Sequence, residues 1–271
     1  MTTTTDAGRI VDGATRLYGI IGDPIAQVGS PRVFTERFRA AGRNAVLVPF
    51  HVLGAAFDET VRGLMALANL DGLIATVPYK ARMLSYVDRV MRTGQQVGAI
   101  NAMRRDPDGK WTGDMFDGRG LVRGLAARGH SVAGRRVLLI GAGGAGSAIA
   151  CALAEAGAAG LTLFDIEDAK ARALSARVSA AFPACQIRVD SPTPAGHDMI
   201  VNATPIGMAP GDGLPAQLGT LDPKVVVADV VLKETATPLL RHADACGCPT
   251  MGGRAMLEGQ VDEMLRFFGM Q

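Results

Sequence analysis

The sequence predicts an α/β protein: an N-terminal βαβ-rich substrate domain followed by a C-terminal Rossmann dinucleotide-binding domain. Three observations carry this reading. Short apolar runs alternate with segments of helical spacing along most of the chain. A glycine-rich segment, Gly141-Ala142-Gly143-Gly144-Ala145-Gly146, follows one such run and opens a stretch of small residues. Upstream of it lie Lys80, Asn101 and Asp117, residue types suited to handling a proton at a hydroxyl.

The elements follow in order. Residues 17–21 read as a strand ending at Gly22. Ser30-Pro31 opens a helix, with serine as cap and proline at the first helical position, and Gly42 closes it. Residues 45–50 form a second strand. Residues 55–69 are helical by the spacing of Phe57, Val61, Leu64, Met65 and Ala68. A third strand, 72–77, stops at Pro78. Segments 99–104 and 111–114 flank Asp106-Pro107-Asp108-Gly109, a hairpin turn signal. Residues 17–117 therefore make the substrate domain.

A connecting helix over 118–129 begins the second unit, 118–252. There, strand 136–140, helix 144–157 and strand 161–164 form a βαβ unit of dinucleotide-binding length. A helix over about 168–181 and strands near 186–189, 199–202 and 225–230 continue the alternation. The last segment, 253–271, holds a helix over 254–268, expected to pack back on the first domain and help form the cleft.

Composition narrows the functional classes. The chain has 271 residues, is 48% hydrophobic and carries a formal net charge of +2. Its lysines and arginines are dispersed, which argues against nucleic acid binding. No apolar run approaches a membrane span. Residues 1–8 are threonine-rich without an apolar core, and read as a short disordered lead rather than a signal peptide. Cys151, Cys185, Cys246 and Cys248 form no Cys-x-x-Cys, so free thiols in a reducing cytoplasm are expected. The four histidines lie far apart, and no metal site is legible.

The glycine segment has a physical rationale. A pyrophosphate sits on backbone N–H groups at a helix N-terminus, where Cβ atoms leave no room. The next strand ends at Asp165-Ile166-Glu167. An acidic side chain there would accept hydrogen bonds from the ribose hydroxyls and repel a 2′-phosphate, and no arginine stands beside it. Charge alone thus predicts NAD in preference to NADP, unless Asp165 merely caps the helix near Asp168.

Redox chemistry at an alcohol needs a proton acceptor beside the hydride-bearing carbon. Tyr18, Tyr79 and Tyr86 lack a lysine four residues on, which removes the Tyr-x-x-x-Lys solution, and a zinc ligand set is missing. Lys80, after a proline-stopped strand end, remains the candidate, with Asp117 to hold and tune it. Each residue taken alone is more readily read as a solvated lysine or a turn aspartate.

Taken together, the motifs resemble those of the shikimate dehydrogenase family, which includes quinate/shikimate dehydrogenases. The resemblance runs over about 17–268. It rests on Gly22-Asp23-Pro24-Ile25 with Ser30-Pro31, Thr76-Val77-Pro78-Tyr79-Lys80, Gly98-Ala99-Ile100-Asn101, Gly113-Asp114 with Asp117-Gly118, Gly141 to Ala145, and Asn202-Ala203-Thr204-Pro205-Ile206-Gly207-Met208. It implies that Lys80 and Asp117 form the catalytic pair and that Asn101 and Gln260 bind substrate hydroxyls. It also implies that Thr204, Val230 and Gly253 lie near the nicotinamide.

Departures from the family pattern bear on the substrate. The family's Ser-x-Ser-Pro is Val28-Gly29-Ser30-Pro31, and a tyrosine after the late aspartate is Leu232 in Asp229-Val230-Val231-Leu232. An asparagine before the lysine block is Ile74, Asn-Thr before the catalytic aspartate is Met115-Phe116, and the basic Asn-Arg-Thr is Asp165-Ile166-Glu167. Ser30 and Thr76 remain as hydroxyl donors to a substrate carboxylate. Each lost charge-assisted bond weakens binding by about 1.5–3 kcal/mol.

The expected activity is hydride transfer between NAD and a ring hydroxyl of a shikimate- or quinate-like acid, with shikimate itself a poor substrate. An ordinary biosynthetic shikimate dehydrogenase and a non-catalytic NAD-binding sensor are the alternatives. The expected partner is a small cyclic hydroxy acid, with the protein a monomer or homodimer.

Overall fold

Among the residues described by the computed structural model, 11–233 and 235–270, twelve strands form two six-stranded sheets. The reading of residues 1–8 lies outside the described residues. The first sheet contains β1 (Arg16–Gly22), β2 (Ala45–His51), β3 (Leu70–Ala75), β4 (Arg89–Val90), β5 (Ala102–Arg105) and β6 (Trp111–Asp114). Helices α1 (Ser30–Ala40), α2 (Phe57–Met65) and α3 (Arg92–Val97) connect them. The strand order is β2-β1-β3-β5-β6-β4, with β1 parallel to β2 and β3, and β5 antiparallel to β3 and β6.

Helix α4 (Asp117–Ala126) leads into the second sheet. Its strands are β7 (Arg136–Ile140), β8 (Gly160–Phe164), β9 (Gln186–Val189), β10 (Met199–Asn202), β11 (Val226–Asp229) and β12 (Thr250–Met251). Helices α5 (Gly144–Glu155), α6 (Asp168–Ala181), α7 (Pro238–Ala245) and α8 (Gly253–Phe267) accompany them. Every pairing is parallel, in the order β9-β8-β7-β10-β11-β12, the doubly wound arrangement of dinucleotide-binding folds. Strands β10 and β11 are buried along their whole length, which explains why they read as continuous apolar runs without alternation.

Helix α8 returns to the first sheet as expected. Its Leu257, Val261, Met264 and Phe267 join a core cluster with Tyr18, Ile20, Phe34 and Phe38. Tyr18 lies with its ring centroid 4.9 Å from Phe38 and 5.0 Å from Phe268. On its other side α8 crosses α4 backbone against backbone. A Cβ on Gly124 would lie 2.8 Å from the Ala255 carbonyl oxygen, and one on Gly120 or Gly259 would collide with the facing main chain. Only glycine permits this approach, and it draws Asp117 of α4 and Gln260 of α8 to the same place.

Three differences from the sequence reading have local causes. The helix expected over 55–69 is a 3₁₀ turn followed by α2, which stops at Met65. Arg105, on β5, donates to the carbonyls of Met65 at 2.6 Å, Leu67 at 2.9 Å and Leu70 at 3.2 Å, so a distant side chain ends the helix. Helix α3, six residues long, and the two-residue strands β4 and β12 are too short to show a period. Helix α7 did carry a signal: Thr237 is its N-cap, accepting from Leu240 N–H at 3.3 Å, and Pro238 takes the first helical position.

The four cysteines are free, and burial pushes the Cys151 thiol up to about 11. No described helix is long and apolar enough to cross a membrane.

Candidate active site

The site is built from chain segments that leave the strand ends of both sheets. Past β3, Thr76-Val77-Pro78-Tyr79-Lys80 is held on several sides. Thr76 N–H donates to Ile21 carbonyl at 2.9 Å, and Ile100 N–H to Lys80 carbonyl at 3.0 Å. Tyr79 stacks on Phe57 with centroids 4.1 Å apart and bonds Val52 carbonyl through its hydroxyl. Lys80 thus starts from a rigid base.

The Lys80 ammonium pairs with Asp117 Oδ2, and the two side chains are 11% and 5% exposed. Asp117 is the first residue of α4, where the helix dipole favours a carboxylate. Its Oδ1 accepts from Asn101 Nδ2 at 2.8 Å. The same Asn101 nitrogen donates to Gln260 Oε1 at 3.1 Å, and Asn101 Oδ1 accepts from Phe116 N–H at 2.9 Å. Lys80, Asp117, Asn101 and Gln260 therefore form one hydrogen-bonded chain drawn from two helices and two loops. Asn101 sits behind Asp117 rather than along the cleft wall. Its polar atoms hold the aspartate, Gln260 and the start of α4, a task its position in the sequence does not reveal.

Replacing Asn101 by alanine is expected to lower kcat by roughly ten- to hundredfold. It leaves the buried Phe116 N–H unpaired, at about 1–3 kcal/mol of stability. Steady-state rates and urea unfolding of the variant check both parts, and an unchanged kcat would remove Asn101 from the chain.

The dinucleotide loop lies directly across from Lys80. A Cβ on Gly144 would lie 3.5 Å from Lys80 Cβ and 3.6 Å from Lys80 Cδ, so the lysine stem borders the loop. Gly141 has φ +103°, and a Cβ there would press Thr204 Cγ2 at 2.9 Å. A Cβ on Gly146 would fall on the Gly141 carbonyl oxygen. Helix α5 begins at Gly144 with no side-chain cap, leaving its first N–H groups open to a phosphate. These features fit a dinucleotide pyrophosphate on Gly143, Gly144 and Ala145, with Gly141 and Ala142 shaping the turn beneath.

The opposite wall comes from the ends of β10 and β11. The fully buried Asn202 donates to Asp229 Oδ1 at 3.0 Å and to Ile206 carbonyl at 3.1 Å, and accepts from the Thr204 hydroxyl at 2.7 Å. Asp229 also accepts from Thr237 Oγ1 at 2.6 Å and Val231 N–H at 3.0 Å. Burial raises the Asp229 carboxyl above its ordinary range, against the pull of these hydrogen bonds. The network places Thr204 and Val230 on the cleft, with Gly253 beside them: a Cβ on Gly253 would lie 2.7 Å from Val231 carbonyl oxygen. The supporting roles of Asp229 and Thr237 escaped the sequence reading, because they depend on contacts between separate elements.

The resulting cleft has a volume of about 510 Å³ and lies between the two sheets. It is lined by Ser30, Thr76, Lys80, Asp117 and Gln260 on the substrate side, and by Gly143, Gly144, Ala145, Thr204, Val230 and Gly253 on the dinucleotide side. Ile74, which stands where the family pattern has an asparagine, packs into the aromatic core cluster.

Fold and site together define an oxidoreductase acting on a CH–OH group with a nicotinamide dinucleotide. The profile of the shikimate dehydrogenase substrate binding domain matches residues 20–103. Shikimate dehydrogenase (NADP(+)) from Symbiobacterium thermophilum is 35% identical, over 92% of this chain and 87% of its own length. The enzymes of the same name from Rubrobacter xylanophilus and Pyrococcus furiosus are 35% and 34% identical, over 94% and 96% of this chain and 91% and 92% of their own. Among solved structures, shikimate 5-dehydrogenase from Listeria monocytogenes in complex with shikimate and NAD is 29% identical with a TM-score of 0.86, covering 97% of this chain and 95% of that one. The 5-ketofructose reductase of a Gluconobacter strain is 30% identical with a TM-score of 0.80, covering 94% and 92%. The chain belongs to the shikimate dehydrogenase family.

The expected preference for NAD over NADP is corrected. The three curated relatives above are all named for NADP(+). In the structure Asp165 also has a local role that its charge does not reveal. Asp165 Oδ2 accepts from Ala142 N–H at 2.7 Å and Oδ1 from Glu167 N–H at 2.9 Å. The carboxylate ties the glycine turn to the end of β8.

Proposed function

We propose that this protein transfers a hydride between a nicotinamide dinucleotide and a ring hydroxyl of a shikimate- or quinate-like compound. Lys80 and Asp117 handle the hydroxyl proton. The observation that carries this reading is the buried Lys80–Asp117 pair, standing between the substrate side of the cleft and the Gly144 turn. A bound nicotinamide supplies or accepts the hydride. On the protein side, Lys80 meets the reacting oxygen and exchanges its proton, while Asp117 holds the ammonium in place. Asn101 fixes the far oxygen of that carboxylate. Gln260, whose Nε2 has no partner among the described residues, is free to donate to a neighbouring ring hydroxyl. The free cysteines support a cytoplasmic setting.

The test is steady-state oxidation of shikimate and quinate with NADP+, the cofactor named in the curated relatives, followed by absorbance of the reduced nicotinamide. Slow but measurable turnover of at least one ring compound is expected. Dinucleotide binding with no oxidation of either compound, nor of uncharged analogues of them, would sink the ring-hydroxyl reading.

A further inference from the structure

Away from Lys80 and Asp117, the substrate side of the cleft is walled by apolar side chains. Ile20, Val28, Leu232 and Leu257 line it, and all four belong to or pack against the core cluster around Phe34 and Phe38. Leu232 and Leu257 converge over Gly29: a Cβ at that glycine would lie 3.3 Å and 3.1 Å from their Cδ2 atoms. This wall is continuous with the core.

The polar groups at this end are few. Gln27 lines the cleft as well, but its Nε2 donates to the Pro24 carbonyl at 2.9 Å, whereas Ser30, 7% exposed, and Thr76 have hydroxyls without a hydrogen-bond partner among the described residues. Two cations line the cleft, and both are engaged: Lys80 with Asp117, and Lys170 with Glu167 next to the dinucleotide loop. Helix α1 begins here, but its second residue is Pro31, which has no N–H to offer. Its terminus supplies about half a unit of positive charge.

A carboxylate at this end would leave water for aliphatic surface with no counter-ion. Two hydroxyls would serve only part of its roughly four acceptor positions. A neutral oxygen substituent has no such difficulty, because Ser30 and Thr76 can each donate to it or accept from it. We infer that this end of the cleft takes an uncharged group: the substrate is a cyclic polyol or hydroxyketone bearing a hydroxyl, carbonyl, amide or ester where shikimate bears its carboxylate. Val28 and Leu232 are the specificity-determining residues. The inference rests on the ring-hydroxyl reading above and names the substrate class for the same site.

Calorimetric titration of the full-length wild-type chain with shikimate, its primary amide and its methyl ester, at a pH where shikimate is ionised, tests it. The amide has the shape of the acid without its charge. The neutral compounds are expected to bind at least tenfold tighter than shikimate. The V28S/L232S double variant should shift the acid-to-amide ratio toward the acid by about tenfold. Val28→Thr, which keeps the shape of valine, should shift it in the same direction and serves where the double variant fails to fold.

Tighter or equal binding of the acid overturns the inference, as does failure of all three to bind, or a ratio that ignores Val28→Thr. Oxidation is read separately with NADP+. Tighter neutral binding without oxidation refutes the redox reading and leaves the substrate-end assignment standing.

Discussion

Lys80→Met is expected to lower kcat by roughly 10²–10⁴-fold, the range for removing a positioned proton-transfer group. Methionine preserves the aliphatic stem that borders Gly144, so the dinucleotide turn keeps its neighbour. What disappears is the ammonium that pairs with Asp117 and, on the proposed function, meets the reacting oxygen. Asp117 keeps its hydrogen bond from Asn101 but loses its countercharge while only 5% exposed. Removing one partner of a buried pair costs about 3–5 kcal/mol. The 11% exposure of the lysine side of the cleft softens this, so a lower melting temperature accompanies the rate loss. NADP+ binding should remain within a few-fold of wild type, because the N–H groups of α5 are untouched. The decisive measurement is kcat beside the NADP+ dissociation constant. A variant that keeps kcat within threefold would remove Lys80 from the chemistry, and one that loses NADP+ affinity in parallel would make it a structural residue.

Gly146→Ala is expected to raise the dissociation constant for the dinucleotide by roughly ten- to hundredfold. The added Cβ would fall on the carbonyl oxygen of Gly141, a backbone atom in the turn proposed to hold the pyrophosphate. No flexible side chain stands there to give way. Gly141 is itself at φ +103°, a conformation few other residues adopt, so the strain passes into the turn or pushes α5 off the sheet. Overpacking of this kind costs about 1–3 kcal/mol, and each 1.4 kcal/mol is about tenfold in affinity. Proton handling at Lys80 and Asp117 is not directly altered. The Michaelis constant for the dinucleotide should therefore rise far more than kcat falls at saturation. An unchanged Michaelis constant would show that the turn does not carry the phosphates.

Much of the site could be read from residue types in order. The glycine turn was legible because three demands coincide in one short segment: a strand end, a left-handed turn and a helix start that leaves its N–H groups open. Lys80 and Asp117 were legible as candidates because each follows a strand in an open α/β fold, where ligands bind, and the structure brings the two together. Asp165 was misread for an instructive reason. Its charge suited a ribose and opposed a 2′-phosphate, yet the curated relatives are named for NADP(+). The N–H groups of Ala142 and Glu167 also bond the carboxylate, one brought by the glycine turn and one by its own local chain, a role that charge alone does not reveal. Helix α2 likewise had the right period past Met65, and Arg105 ended it from another strand.

The sequence by itself determined the two alternating α/β units, the dinucleotide turn and the residue types able to move a proton, because each follows from local spacing, periodicity or the conformational freedom of glycine. Only the tertiary structure decided how these parts meet. It set Asn101 behind Asp117, drew Gln260 to the same chain through the glycine contact of α4 with α8, and locked Thr204 and Val230 onto the cleft through Asn202, Asp229 and Thr237. It also turned Val28, Leu232 and Leu257 into one apolar wall. Such contacts join residues far apart in the chain, and no local pattern records which hydrogen-bond partner or packing neighbour each will find.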